Sequence, residues 1–273
     1  MQIPIKLLIE RKSLLNKALK SFMKNEKTLA YINFYAILGA ISELCRLDEK
    51  AASLVANKKI SLGISVKDGP CGKLVFDNGT CTLKKDVKNV DIKLPFSSCE
   101  KFNGMIDGTV TPIPSKGFTK IGFLLKTFMP LTDILSKYLR PSEEDLKNPE
   151  FFKINTYLTF YVVSEAISQI ANTDPIGQVS ASYIVDGTVK LAIGDELCAN
   201  IKAENHILTT SHEKPDNFLS YMIFENIELA NNLFNNRVNS VACVGLGKIK
   251  IGGMISQVDN INRILDRVSL YLA

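Results

Sequence analysis

The sequence predicts an α+β protein built from two similar tandem units, and three observations predict it. An eleven-residue apolar stretch occurs twice, FYAILGAISEL at 34–44 and FYVVSEAISQI at 160–170, with five identical positions. Each copy is followed by short runs of strand character rather than by further long helical patterns. Between the copies lies RPSEEDLKNPE (140–150), which is polar, charged and flanked by proline, the composition of a linker.

The elements follow in order. In residues 1–27, Ile5, Leu8, Ile9, Leu15, Leu19 and Phe22 fall near a helical period with Lys and Arg between them. This segment holds seven Lys/Arg and two Asp/Glu, a balance of +5 that equals the net charge of the whole chain, so residues 28–273 are neutral. Residues 28–45 read as an apolar helix. Four strands are expected next, ISLGISV (60–66), GKLVF (72–76), TCTLKK (80–85) and VDIKLPF (90–96), separated by the turn signals KDGP and DNGT. Ser97 and Glu100 have capping-box spacing for a short helix that Gly108 ends. After TPIPSKG, the stretch KIGFLLKTFMPLTDILSKYL reads as a closing helix entered from a strand or turn.

The second half restates this order. The helix at 154–171 matches 28–45, and GTVKLAI (187–193) matches GKLVF, which puts Cys198 opposite Cys81. Lys250-Ile251-Gly252 matches Lys120-Ile121-Gly122, and Ile264-Leu265 then matches Ile134-Leu135. The longer stretch PDNFLSYMIFENIELANNLF reads as an enlarged helix. These anchors predict a tandem duplication with domains at 28–140 and 151–273, a linker at 141–150 and a leading segment at 1–27.

Several function classes are excluded or left without support. The longest uncharged run, Thr28–Ser42, is 15 residues and includes Tyr, Asn, Gly and Ser, too short and polar for a membrane span. Charged residues interrupt the apolar run at the N-terminus, and no small-residue cleavage site follows, so it does not read as a signal peptide. Six cysteines without a CxxC pair suit a reduced, cytoplasmic protein. The neutral body gives no basic face for nucleic acid. His206 and His212 lack metal-ligand spacing and read as surface or structural, and Cys81 and Cys198 read as packed thiols. GLGKIKIGG is neither a dinucleotide nor a phosphate-loop motif, and there is no GxSxG elbow. No catalytic residue, metal site or cofactor is expected.

The order of each unit, closing on GKIKIGGMISQVDNINRIL (247–265), resembles the sterol carrier protein (type two) lipid-binding family. In the first unit, KDGPCGKLVFDNGTCTLKKDVKNVDIKLPFSSCEKFNGMIDGTVTP (67–112) is similar to the family's sheet, short helix and G-x-V-x-P turn. The resemblance covers most of 28–139 and 154–272. It implies a mixed, roughly five-stranded sheet in each unit with helices packed on one face. It further implies an apolar tunnel between sheet and helices that binds a fatty acid, acyl-CoA, phospholipid or sterol-like molecule under the closing helix. The apolar stripes Leu124, Phe128, Leu131, Leu135 and Met254, Val258, Ile261, Leu265 would then be ligand-lining; as periodicity alone they are core.

The expectation is a non-enzymatic lipid-binding protein whose copies pack as a pseudo-dimer. The basic segment 1–27 is read either as a solvated helix packed on the domain or as a weak membrane-surface contact. The alternative is an interaction or scaffold protein whose tunnel is filled by its own side chains, for which Phe76, Phe96, Phe102, Phe118, Phe123 and Phe128 supply the bulk.

Overall fold

The computed structural model describes residues 24–235 and 237–272. The helix expected over 5–22 lies outside the described residues. The protein is α+β with two mixed sheets, of four and five strands, each backed by helices.

The first helix, α1 (Glu26–Leu47), starts at Asn25, whose Oδ1 accepts the Lys27 and Thr28 N–H groups at 2.9 and 3.1 Å. Such a cap satisfies donors that the first turn cannot. By length and hydropathy α1 suffices to cross a membrane, yet 72% of its apolar window is buried inside the molecule. Its middle widens into a π-helical stretch, Ile32–Leu38. Asp48 ends it and caps α2 (Glu49–Val55).

The first sheet contains β1 (Lys59–Val66), β2 (Cys71–Asp77), β3 (Thr80–Lys84) and β4 (Ile92–Phe96) in the order β3-β2-β1-β4, with only β1 and β4 parallel. Alternation puts Leu62, Ile64, Leu74, Phe76, Ile92 and Leu94 into the core at 0–1% exposure. The short helix α3 (Cys99–Ile106) is capped by Ser98, one residue beyond the Ser97 expected. Residues 118–139 form one continuous helical run, α4, of 3-10, α and π segments. Lys120-Ile121-Gly122 therefore belongs to a helix and not to a strand. Pro112 and Pro114 explain this, because the segment before it lacks two ladder donors. What remains of a fifth strand is one bridge, Lys93 to Lys116.

The second half begins with α5 (Pro149–Thr173), capped by Asn148, and α6 (Pro175–Ser182), capped by Asp174. The sheet holds β5 (Gly187–Ile193), β6 (Leu197–Glu204), β7 (Ile207–Ser211), β8 (Ser220–Phe224) and β9 (Ile249–Gly253), ordered β7-β6-β5-β8-β9, with β5 and β8 parallel. Two short helices, α7 (Ile227–Phe234) and α8 (Ser240–Gly245), precede β9, and α9 (Ile255–Leu272) closes the chain. The enlarged helix expected over 215–234 is thus a strand followed by a helix. SYMIF is a short apolar run, and periodicity does not separate a buried parallel strand from a helix segment of that length.

The two sheets share strand order and pairing sense, but at registers other than those the sequence suggests. Val66 pairs with Phe96 where Ile193 pairs with Phe224, so β1 corresponds to β5 and β2 to β6. GKLVF is therefore a second strand and GTVKLAI a first. Cys71 lies opposite Ser65 as Cys198 lies opposite Ala192, which makes Cys71, and not Cys81, the counterpart of Cys198. On the closing helices the buried set Thr127, Phe128, Leu131, Leu135, Tyr138 has the spacing of Asn260, Ile261, Ile264, Val268, Tyr271. This register is three residues from the one that aligns Ile134-Leu135 with Ile264-Leu265. Buried amides recur as well. Asn103 on α3 accepts from Asn33 Nδ2 at 3.0 Å, and Asn231 on α7 donates to Asn155 Oδ1 at 2.6 Å, each tying a short helix to a long one.

The long helices also tie the halves together. Thr173 Oγ1 donates to Thr28 Oγ1 at 3.2 Å, and Tyr271 accepts the Asn25 N–H at 2.8 Å. In the reverse direction, Asn155 Nδ2 donates to the Tyr138 carbonyl at 2.6 Å, and Phe151 stacks on Tyr138 at 4.5 Å.

Candidate functional site

The eight apolar residues expected to line a ligand divide by position. Phe128, Leu131, Leu135, Val258 and Ile261 are buried, Leu124 and Leu265 are half-buried, and Met254 precedes α9 and is exposed. Two grooves among the described residues lie elsewhere, and none of the eight lines them.

In the first half the space between sheet and helices is occupied by aromatic rings. Phe76 meets Phe123 edge-on at 5.2 Å, Phe96 meets Phe102 at 5.3 Å, and Phe102 meets Phe34 at 6.3 Å. These tilted pairs match ring edges to faces. In the second sheet Ala203 holds the position of Phe76, while Phe224 holds that of Phe96.

A groove of about 410 Å³ opens in the second half beside α7, α8 and the start of β9. Leu229, Val238, Ala242, Cys243 and Leu246 supply its apolar wall, with Glu225, Glu228 and Lys248 among its polar groups. Asn226 caps α7 through the Leu229 N–H at 2.8 Å, and Asn239 caps α8 through the Ala242 N–H at 2.9 Å, which fixes both walls. Val241, Val244 and Leu246 on and beside α8 are exposed at 78, 40 and 72%.

A larger groove, about 540 Å³, lies where α1 and α5 meet the β5–β6 turn. Tyr161 of α5 stacks on His212 at 4.2 Å between centroids and 15° between planes, and His212 Nε2 bonds Ser164 Oγ at 2.9 Å. Burial pulls the His212 pKa down to about 4, so the ring is neutral near pH 7. Arg46 reaches Glu43 at 2.7 Å, and Tyr157 donates to Glu196 at 2.8 Å. Cys198 is half-buried, and desolvation raises its thiol while Lys190 and Lys214 act against that rise.

Matching positions in the first half carry the same pattern. The Lys85 ammonium lies 5.7 Å from the Tyr35 ring centroid, and Tyr35 donates to the Cys71 carbonyl at 2.9 Å. Glu165 on α5 acts electrostatically on Lys85 and Tyr35 of this group. Tyr35 and Tyr161 stand in the repeated eleven residues, so the sequence offered this signal, although it reads there as packing. Lys85 and His212 follow third strands far along the chain, and only the fold brings them to the tyrosines.

Glu165 gives a pH prediction. Desolvation pushes its carboxyl up to about 7, above the ~4.3 of an unfolded chain. The folded state then binds the extra proton, and stability falls as pH rises between those values. Glu165→Gln is expected to stabilise the protein at pH 8 by about 1–3 kcal/mol and to flatten stability between pH 5 and 8. Urea midpoints across that range check it; an unchanged pH slope contradicts the assignment.

Among the described residues no group of three or more His, Cys, Asp or Glu is placed to hold a metal. All six cysteines are free thiols. His206 is exposed at the β6–β7 turn, with a positive φ of 65°.

No family model matches the chain, and no curated protein matches it. Solved structures similar to parts of it include one described as a UbiJ-SCP2 ubiquinone synthesis protein, at 14% identity over 40% of this chain and 94% of the other, with a TM-score of 0.32. Sterol carrier protein domain 2 of Helicoverpa armigera matches at 17% identity over 45% of this chain and 92% of that one, TM-score 0.33. The stereoselective inverting sec-alkylsulfatase Pisa1 from Pseudomonas sp. matches at 8% identity over 54% of this chain and 28% of its own, TM-score 0.24.

Proposed function

We propose that the chain is a non-enzymatic binding or carrier protein for an apolar small molecule such as a fatty acid, acyl-CoA, phospholipid or sterol-like compound. In this reading it consists of two tandem copies of a sterol-carrier-like unit packed as a pseudo-dimer, and the second copy holds the ligand. The observation that carries the reading is the groove of about 410 Å³ between α7, α8 and β9. Its volume lies within the ~300–1,000 Å³ of small-molecule sites. Covering an alkyl chain with Leu229, Val238 and Leu246 gains roughly 0.8 kcal/mol per buried CH2.

Ala242, exposed on α8, lines this groove, so Ala242→Trp fills it without disturbing the core. Titration with a fluorescent fatty acid is expected to saturate with the wild-type chain and to weaken at least about tenfold in the variant, or ~1.4 kcal/mol. Equal uptake by both proteins places the ligand outside this groove and overturns the reading.

The second reading, an interaction or scaffold protein with a filled core, is favoured by the edge-to-face rings of the first half. It expects no saturable uptake by either protein.

A further inference from the structure

The larger groove, between the two halves, is separate from the lipid groove and calls for a different ligand. We propose that it binds a small organic anion with a flat aromatic body.

Shape and lining argue for the flat body. The volume of about 540 Å³ suits a molecule of two or three fused rings with one substituent. The wall includes Tyr157, Phe160, Tyr161 and His212, and the stacked Tyr161–His212 pair holds two of those rings parallel. Aromatic faces recognise planar π-systems by offset or edge contacts.

Charge argues for the anion. The groove contains three cations, Arg46, Lys190 and Lys214, and three carboxylates, Glu43, Asp195 and Glu196. Two of the carboxylates already have partners, since Glu43 takes Arg46 and Glu196 takes the Tyr157 hydroxyl. Asp195 is exposed on the β5–β6 turn. Among the described residues neither Lys190 nor Lys214 is ion-paired, and the Lys190 ammonium lies 5.4 Å from the Phe218 ring centroid. Lys190, Lys214 and Cys198 all line the groove, and both ammonium groups act electrostatically on the Cys198 thiol. A carboxylate or sulfonate placed there gains two charge-assisted contacts in a partly desolvated site. His212, stacked on Tyr161, is neutral near pH 7 and adds no charge to the site.

The test uses the full-length chain, with 1-naphthoate as probe and 1-naphthalenemethanol as its uncharged counterpart. Calorimetric titration is expected to show saturable 1:1 binding of naphthoate and binding at least about tenfold weaker for the alcohol. Lys190→Gln with Lys214→Gln is expected to weaken naphthoate by a similar factor with the circular dichroism spectrum unchanged. The comparison of the two probes on wild-type protein does not depend on the folding of that variant. Cys198 lines the groove and Cys71 is exposed outside it, so iodoacetamide labelling mapped by peptide locates the probe. Naphthoate should slow alkylation of Cys198 and leave Cys71 unaffected. Ala242→Trp should leave naphthoate binding unchanged, which separates this site from the lipid groove. Absence of saturable binding, equal slowing at both thiols, or equal affinity for the two probes overturns the proposal.

Discussion

Asp174→Ala is expected to destabilise the protein by about 3–5 kcal/mol, the cost of removing one partner from a buried ion pair. The Asp174 side chain is fully buried, and each of its oxygens is used. Oδ1 accepts the Ile176 and Gly177 N–H groups at 3.0 and 2.8 Å and so starts α6. Oδ2 accepts Arg267 at 2.6 Å and the Tyr271 hydroxyl at 2.7 Å, both from α9. The Tyr271 oxygen in turn accepts the Asn25 N–H that opens α1. One carboxylate thus joins α6 to the closing helix and, through Tyr271, to the other half of the chain. Its loss leaves the Arg267 guanidinium, 14% exposed, without that carboxylate.

Asp48 supplies the contrast. It also caps a helix and accepts a closing-helix tyrosine, Tyr138, at 2.8 Å, but it is half-buried and, among the described residues, no guanidinium pairs with it. Asp48→Ala should therefore cost only about 1–2 kcal/mol, the range of a lost cap. Urea denaturation of both variants compares the two; equal losses contradict this account of Asp174.

The same carboxylate has a pH consequence. Burial alone raises its pKa, but the bonds from Arg267, Tyr271 and Gly177 outweigh burial and hold it below the ordinary aspartate range. A depressed folded value means the unfolded chain takes up the proton first. The contribution is complete above about pH 4 and is lost as pH falls through the folded value. Acid denaturation of the wild type should be steeper than that of Asp174→Asn.

Phe76→Ala is the second large effect, expected at about 3–5 kcal/mol for an aromatic removed from a closed core. Phe76 is 0% exposed and rests edge-on against Phe123. At this one position the variant gives the first sheet the residue of the second, where Ala203 stands. The cavity left behind is apolar, and such cavities stay dry and accept small apolar molecules. Thermal unfolding should shift down by about 10 °C or more, and indole should partly restore it in the variant but not in the wild type. A shift of a degree or two would mean the surrounding rings collapse into the space, and the first core would then be less rigidly filled than its aromatic contacts imply.

The first four strands were legible because alternation and turn chemistry agree there. KDGP and DNGT place Asp68 and Asn78 at positive φ, a conformation their short polar side chains tolerate, and the strand bounds follow. The repeated helix was legible from its apolar run. The registers between halves were not, because residue identity and position in the sheet had drifted apart: Lys-Leu recurs in strands of different rank, and Lys-Ile-Gly lies in a helix once and a strand once. The Ser-x-Tyr-Leu ending shared by 136–139 and 269–272 was the better guide, since its tyrosines reach the helix-capping aspartates. The two grooves were not legible at all. The walls of the larger groove are drawn from residues 43 to 214, and those of the lipid groove from 225 to 248; short-range periodicity carries no information on which loop ends meet.

The measurement that bears most directly on the central claim is native mass spectrometry of the gently purified chain, followed by solvent extraction and analysis of what it carries. The account predicts a stoichiometric apolar ligand of fatty acid, phospholipid or sterol-like character, lost from Ala242→Trp. A clean apo mass, with no uptake when fatty acid is supplied, would contradict it and leave a protein that keeps this fold for contacts with partners.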